Sequence, residues 1–400
     1  MTLQSLAIVL QCASTGGWRY ALRLIEGLVT TRRDLRITCY LGQQVIDTFG
    51  EGETGGRLRQ LGVDVKLWDE LPVLKKRWYK RYKNYRAERR FRRWLTQLDD
   101  YQLVFFAWPY AIECPDRATV SKAKLAFIPH DFNYVHFIGT HTVAPSFARI
   151  QHGQHAGWLE RANPIVSSQF TADELQSAFP DFTGEVPVIP LSRLSNQDRL
   201  SDQEASEIVS GMGIHDDYLL SVNNLSHHKN LGQVLGGFFY CLQNRPDLRF
   251  IVVGYNTDGI NGDVHTPWYV DQTDKPGNVT SFGLISDREV IALIQRARMV
   301  INGSLYEAGN GSGLDAWAIG TPVVMSDIPP FREHLERLGV KAELFHPRCC
   351  FQIRDAIEAT LSDTERIAKQ VAISKAALAV YGWRDVAKQY LSAFDRMLSN

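Results

Sequence analysis

The sequence is short of the features that mark several protein classes. Its six cysteines (Cys12, Cys39, Cys114, Cys241, Cys349 and Cys350) form no Cys-x-x-Cys and no regular framework. That excludes a disulfide-stapled scaffold or a zinc ribbon and reads as reduced thiols of a cytoplasmic protein. No run approaches the roughly 18 apolar residues that span a bilayer. The first apolar run, Leu6–Leu10, follows no basic region and is far shorter than a signal core, so no secretory signal is expected. Net charge is absent as well, with 44 Lys and Arg against 44 Asp and Glu, so the total gives no indication of a nucleic-acid partner. Repeats and low-complexity tracts are missing. What remains is a soluble globular composition, 44% hydrophobic and 22% charged, in 400 residues, which is too long for one ordinary core.

The neutral total hides one block. Residues 75–93 (KKRWYKRYKNYRAERRFRR) hold eleven basic residues and a single acid, Glu88. Within residues 72–86, Leu74, Trp78, Tyr82 and Tyr85 fall on one helical stripe. From Phe91 the stripe rotates to Phe91, Trp94, Leu95 and Leu98.

Elsewhere short apolar runs alternate with amphipathic stretches, the pattern of βα units around parallel sheets. In the first half, strands are expected at 6–10, 36–40, 103–108, 125–129, 164–167 and 186–189. In the second half they are expected at 218–222, 249–253, 279–282, 299–302 and 322–325. Helices are expected at 231–242, 287–296 and about 311–319. A polar stretch from Ser192 to Asp217 separates the two series. The arrangement expected is two Rossmann-like α/β domains, residues 1–190 and 191–380, followed by a closing helix over 381–400. Trp383, Val386, Ala387, Tyr390, Leu391, Phe394 and Met397 form the apolar stripe of that helix.

Ligands of parallel sheets bind beyond the carboxyl ends of strands, which directs attention to four loops. Ser14-Thr15-Gly16-Gly17 follows the first strand. Its adjacent glycines would let backbone amides approach an anion at a helix N-terminus, or simply make a tight turn. His130-Asp131 follows KLAFIP and offers either a ring to a ligand or a capped strand end. Lys229-Asn230 follows the strand at 218–222, where a lysine could meet a phosphate or point into solvent. The neighbouring His227-His228 pair lacks a third metal ligand at a useful spacing. The fourth loop, within Ser304–Val324 (SLYEAGNGSGLDAWAIGTPVV), places Gly309, Gly311 and Gly313 before a helix, with Glu307 ahead of them and Asp315 eight residues further on. Free amides there could cradle phosphate or sugar oxygens. Asp315 could instead close a capping box with Ser312.

Together these stretches resemble the retaining, nucleotide-sugar-dependent glycosyltransferases of the GT-B fold, family 4. The family's Glu-x7-Glu signature appears as Glu307 and Asp315. KNL at 229–231, SFGLISD at 281–287, SDIPPFREHL at 326–335, TGGWRYA, PHDFNY and VSSQFTADEL are supporting matches. The resemblance implies a nucleotide-diphospho-sugar in the cleft between the two domains and a C-terminal helix that returns to the first. Lys229 would neutralise the diphosphate, and the amides of Gly16 and Gly17 would meet the leaving phosphate. Glu307 would bond sugar hydroxyls near the reacting carbon, and His130 would donate to the donor sugar. Asp315 would hold the ribose, and the region of Gly283 would meet the base. The loop Ala308, Gly309, Asn310 and Gly311 would line the donor site. No Asp-x-Asp occurs, so no metal or other cofactor is expected. The chain departs from the family in having Asn224 where an arginine usually precedes the lysine, Asp315 in place of glutamate, and AGNG in place of GFG.

A basic helix with an aromatic face suits an anionic membrane surface. On that reading Trp78, Tyr82, Tyr85, Arg89, Arg90, Arg92 and Arg93 would dock the protein peripherally on the inner face of the cytoplasmic membrane, beside a saccharide or lipid-linked saccharide acceptor. The alternative is a solvated helix with its aromatics packed inward. For the whole chain, the alternatives to a glycosyltransferase are a nucleotide-sugar epimerase or hydrolase of the same fold, and a non-catalytic nucleotide-sugar binder.

Overall fold

A computed structural model describes residues 1–10, 15–68, 92–109, 112–140, 143–195, 199–257 and 276–399. Ser14, Trp78, Tyr82, Tyr85, Arg89 and Arg90 lie outside the described residues. The chain divides into two compact units. The first comprises Met1–Tyr134, Pro145–Leu191 and Trp383–Asn400, and the second Val135–Ala144 and Ser192–Gly382.

Each unit is built on a six-stranded parallel sheet. The first contains β1 (Ser5–Leu10), β2 (Arg36–Gly42), β3 (Asp64–Trp68), β4 (Leu103–Phe106), β5 (Lys124–Phe127) and β6 (Asn163–Pro164), in the order β3-β2-β1-β4-β5-β6. The second contains β7 (Tyr218–Val222), β8 (Arg249–Val253), β9 (Val279–Ser281), β10 (Met299–Asn302), β11 (Val323–Ser326) and β12 (Glu343–Phe345), in the order β12-β11-β10-β7-β8-β9. Central strands are buried along their whole length, as β1 and β10 show, which is why they read as continuous apolar runs rather than alternating ones.

The expected strands at 218–222, 249–253 and 299–302 match the observed bounds, and the others shift by a few residues. Three expectations need correction. Strands β3 and β12, both at sheet edges, are absent from the sequence reading because their residues (DVKLW and ELF) mix polar and apolar side chains. Residues 186–189 form no strand. They contribute one isolated bridge, Val188 to Val166, and β6 is correspondingly reduced to Asn163–Pro164. Finally, the helix Gly311–Ile319 is capped by Asn310, whose side chain accepts from the Gly313 amide, so the Ser312–Asp315 capping box does not form.

In the first unit the helix Thr15–Thr31 packs directly on the terminal helix Trp383–Ser399. Tyr20, Leu24 and Leu28 are buried, as is the whole stripe from Trp383 to Met397. The Tyr20 and Tyr390 hydroxyls lie 2.5 Å apart, and an Arg32–Asp395 ion pair closes the far end at 2.8 Å. The close crossing depends on Gly27, where an added Cβ would strike the Trp383 carbonyl and sit 3.0 Å from Ala387 Cβ. At the end of the basic block, Trp94 packs edge-on against Tyr40, while Leu95 and Leu98 join the core. These described members of the rotated stripe therefore face inward, and Arg92 and Arg93 are exposed.

Replacing Gly27 with alanine should destabilise the protein by about 1–3 kcal/mol through overpacking of this crossing. Denaturant unfolding would measure it, and a wild-type midpoint would show that the two helices separate without cost.

Candidate functional site

Strands β7 and β10 are hydrogen-bonded neighbours, yet the chain runs from β7 toward β8 on one side and from β10 toward β11 on the other. This is a topological switch point, where loops from adjacent carboxyl ends diverge and leave a ligand-sized crevice. Lys229 and the loop before Asn310 both sit there.

After β7 the chain makes an Asx turn, with Asn224 Oδ1 accepting from the Ser226 amide at 3.1 Å. Asn224 thus spends its side chain locally and supplies no cation. A short 3₁₀ turn, His227–Lys229, follows, and Asn230 takes the left-handed conformation (φ 58°) before the helix Leu231–Cys241. The Asn230 amide nitrogen donates to the carbonyls of Gly303 (3.0 Å) and Pro347 (2.7 Å). The Leu305 N–H donates to the His228 carbonyl at 2.7 Å. The two loops are therefore stitched together by the Asn230 side chain and one backbone hydrogen bond. Gly303 permits this approach, because a Cβ there would collide with Val234 of the helix behind it.

Within that frame Lys229 Nζ forms an ion pair with Glu307 Oε1. Their side chains are 16% and 13% exposed, so the pair is only partly screened by water. The Ser304 hydroxyl lies 2.6 Å from the same carboxylate oxygen and 2.8 Å from Asn302 Oδ1. Asn302 Nδ2 in turn donates to Asn310 Oδ1 (3.2 Å), the oxygen that caps the Gly313 amide at 3.1 Å. Asn302, Ser304 and Asn310 are buried, so an unbroken polar chain runs beneath the glycine loop from the helix N-terminus to Glu307. Among the described residues, buried Asn310 Nδ2 has no hydrogen-bond partner, and neither has His334 Nε2.

Asp315 is buried in the first turn of the helix, where Oδ1 accepts from the Ser195 amide at 2.9 Å. Gly283 adopts φ 64°, and its carbonyl accepts from the Gly254 amide at 2.8 Å. Ala308, Gly309 and Gly311 are half-buried. Residues Val135–Ala144 belong to this unit although they follow β5 in the chain. Phe137 packs against His227, His228 and Tyr306, and the His136 ring lies against Tyr306, so this strap covers the turn that carries Lys229.

The first unit has its own switch point between β1 and β4. Gly16, at the start of the helix after β1, has open space where a side chain would stand, and Gly17 is buried. His130 follows β5, and its Nε2–H donates to the Ala107 carbonyl at 2.6 Å. Burial holds the His130 ring down at about 4, so it is neutral at physiological pH. With the proton fixed on Nε2, Nδ1 is an acceptor.

Residues 204–378 match the family model for glycosyl transferases group 1. The matched region contains Lys229, Glu307 and Asp315. No curated protein matches the chain. Among solved structures, the chain is similar to HepE of Anabaena in complex with UDP and glucose. Identity is 17% and the TM-score 0.70, with 98% of this chain and 100% of that one covered. It is also similar to WaaG, a glycosyltransferase involved in lipopolysaccharide biosynthesis, at 12% identity and a TM-score of 0.69 over 97% and 99% of the two chains. A glycosyltransferase from Rickettsia africae ESF-5 gives 13% identity and a TM-score of 0.68, with both chains covered at 100%. The fold is GT-B.

Several residues of the site escape a reading of the sequence. Asn302 and Ser304 were hidden as the polar end of an apolar strand and the residue after a glycine. Phe137 lies far away in the chain, and His334 sits inside an ordinary amphipathic helix.

His228 and His334 are each held down at about 4, chiefly by burial, with the Lys229 charge adding to the effect at His228. An imidazole whose folded pKa lies below its unfolded value near 6.5 binds fewer protons when folded. Its stabilising effect is therefore present at neutral pH and is lost as pH falls from about 6.5 toward 4. Unfolding titrations at pH 7 and 4 should show that loss. A His334→Gln variant should show roughly 3 kcal/mol less of it. An identical pH slope in the variant would mean that His334 does not remain neutral in the fold.

Proposed function

We propose that the protein is a glycosyltransferase that moves a sugar from a nucleotide-diphospho-sugar to a glycan or lipid-linked saccharide, with retention of configuration and without a metal ion. The observation that carries this reading is the meeting of Lys229 and Glu307, 78 residues apart in sequence, at the switch point of the second sheet beside the N-terminus of the helix Gly311–Ile319. The match of residues 204–378 to glycosyl transferases group 1 supports it.

Cleavage of a sugar–phosphate bond builds positive charge on the sugar ring and negative charge on the departing diphosphate. An ammonium group and preset amides aimed at the phosphates stabilise the second charge without reorganising at the moment of reaction. Lys229 supplies the cation in this reading, with the glycine loop and the amides of Gly16 and Gly17 as anion contacts. Glu307 accepts hydrogen bonds from sugar hydroxyls, while Asp315, already anchored on Ser195, faces the ribose. His130 helps to orient the sugar. Asn224 leaves Lys229 as the phosphate cation of its own loop.

HepE was crystallised with UDP-glucose, so UDP and its sugars come first in a panel of nucleoside diphosphates and nucleotide-sugars tested by thermal shift, with and without a chelator. Stabilisation by one nucleoside diphosphate, unchanged by chelator, is expected, because a ligand bound to the native state raises its midpoint. No shift from any member would remove the donor site. Lys229→Ala should weaken nucleoside diphosphate binding by about 1.5–3 kcal/mol, and Glu307→Gln should abolish most transfer. Free sugar or an isomerised nucleotide-sugar formed without acceptor would favour a hydrolase or epimerase, and tight binding without turnover a non-catalytic binder.

Peripheral membrane docking through residues 75–93 is part of the same reading. Among the described residues no helix is long and apolar enough to cross a membrane. Vesicles containing anionic lipid should retain the protein, and neutralising Arg89, Arg90, Arg92 and Arg93 should release it. Failure of the wild type to sediment with such vesicles would end the idea.

A further inference from the structure

Ser304 sits between two acceptors with one hydroxyl proton. The orientation of the surrounding amides is fixed from the far end of the network. The Gly313 N–H requires the oxygen of Asn310, which faces the nitrogen of Asn302, so that Asn302 turns its oxygen toward Ser304. Asn302 Oδ1 also accepts from the Ser304 backbone amide at 3.3 Å and keeps a partner if the hydroxyl turns away. On the other side, Glu307 Oε1 receives Lys229 and lies 2.6 Å from the Ser304 oxygen, within reach of the hydroxyl proton that Asn302 Oδ1 also attracts, and among the described residues Oε2 receives no hydrogen bond. The ammonium is therefore already neutralised by the carboxylate.

We propose that Ser304 is a positioning residue, which holds Glu307 in place while Lys229 changes partner from that carboxylate to the diphosphate of an incoming nucleotide-sugar. The inference rests on the glycosyltransferase reading. As the lysine turns to the phosphates, Glu307 Oε1 loses its counter-charge and becomes the stronger acceptor for the Ser304 proton. The hydroxyl rotates from Asn302 to Glu307, and the carboxylate stays aimed at the sugar instead of relaxing toward solvent. Glu307 acts twice in this scheme, masking the lysine before the donor arrives and meeting the sugar afterwards.

Two variants test the scheme, with affinities for UDP, GDP, ADP and the corresponding glucose nucleotides measured by calorimetry. Ser304→Ala should leave affinity for the preferred nucleoside diphosphate within twofold of wild type and lower affinity for its nucleotide-sugar about tenfold. A purely structural loss would weaken both alike. Glu307→Gln should unmask Lys229 and tighten nucleoside diphosphate binding several-fold. Equal losses for both ligands in Ser304→Ala, or no loss for either, would overturn the positioning role. Unchanged or weaker diphosphate binding by Glu307→Gln would overturn the partner exchange, even if Ser304→Ala failed to fold. Absence of nucleoside diphosphate binding by the wild type would overturn the glycosyltransferase reading and this inference with it.

Discussion

Strands β7 and β10 lie side by side and parallel, but the chain leaves their carboxyl ends in opposite directions across the sheet. Crossovers between parallel strands are right-handed, so the two connections must depart on opposite faces. Their first residues are left together at the carboxyl ends of the two strands. The candidate site depends on that constraint. It brings the turn His227–Lys229 against the loop after Asn302, where the Asn230 side chain donates to the Gly303 carbonyl and the Leu305 N–H to the His228 carbonyl. The same order in the first sheet puts Gly16 and the Ala107–His130 contact at the carboxyl ends of β1, β4 and β5.

Electrostatics then sets what the edge can do. Lys229 and Glu307 are too little exposed to be an ordinary surface ion pair, whose worth is commonly below about 1 kcal/mol. Nor do they sit in a dry core, where desolvation would offset their attraction. The polar chain Asn302–Ser304–Asn310 beneath this pair would be costly if its members were unpaired. Apart from the Asn310 Nδ2 atom, they satisfy one another and the helix N-terminus.

Burial also decides the chemistry of the histidines. His130, His155, His228 and His334 are all held below their usual range, at about 4 for His130, His228 and His334 and about 3 for His155, with burial the largest cause in each case. They act as neutral packing and hydrogen-bonding groups. His155 accepts or donates at Nδ1 with the Tyr134 hydroxyl at 2.9 Å, and Phe132 lies against its ring.

The sequence by itself determined the two sheets, because fully buried parallel strands demand uninterrupted apolar runs such as MVIN and YLLSV, and because the glycine loop with Glu307 must follow a strand end. Lys229 and Asp315 stood out through the family resemblance, since an exposed lysine and an aspartate in the first turn of a helix each have an ordinary structural reading. Edge strands β3 and β12 were illegible, since with a neighbour on one side only they need no apolar run. The pairing of Lys229 with Glu307, the Asn310 cap in place of Ser312, the tautomer of His130, and the packing of Phe137 over the lysine turn were decided only by the tertiary structure. Each depends on a distance between residues far apart in the chain or on a choice among competing hydrogen-bond partners. A one-dimensional pattern carries neither, because periodicity records which face a residue occupies and not what it meets there.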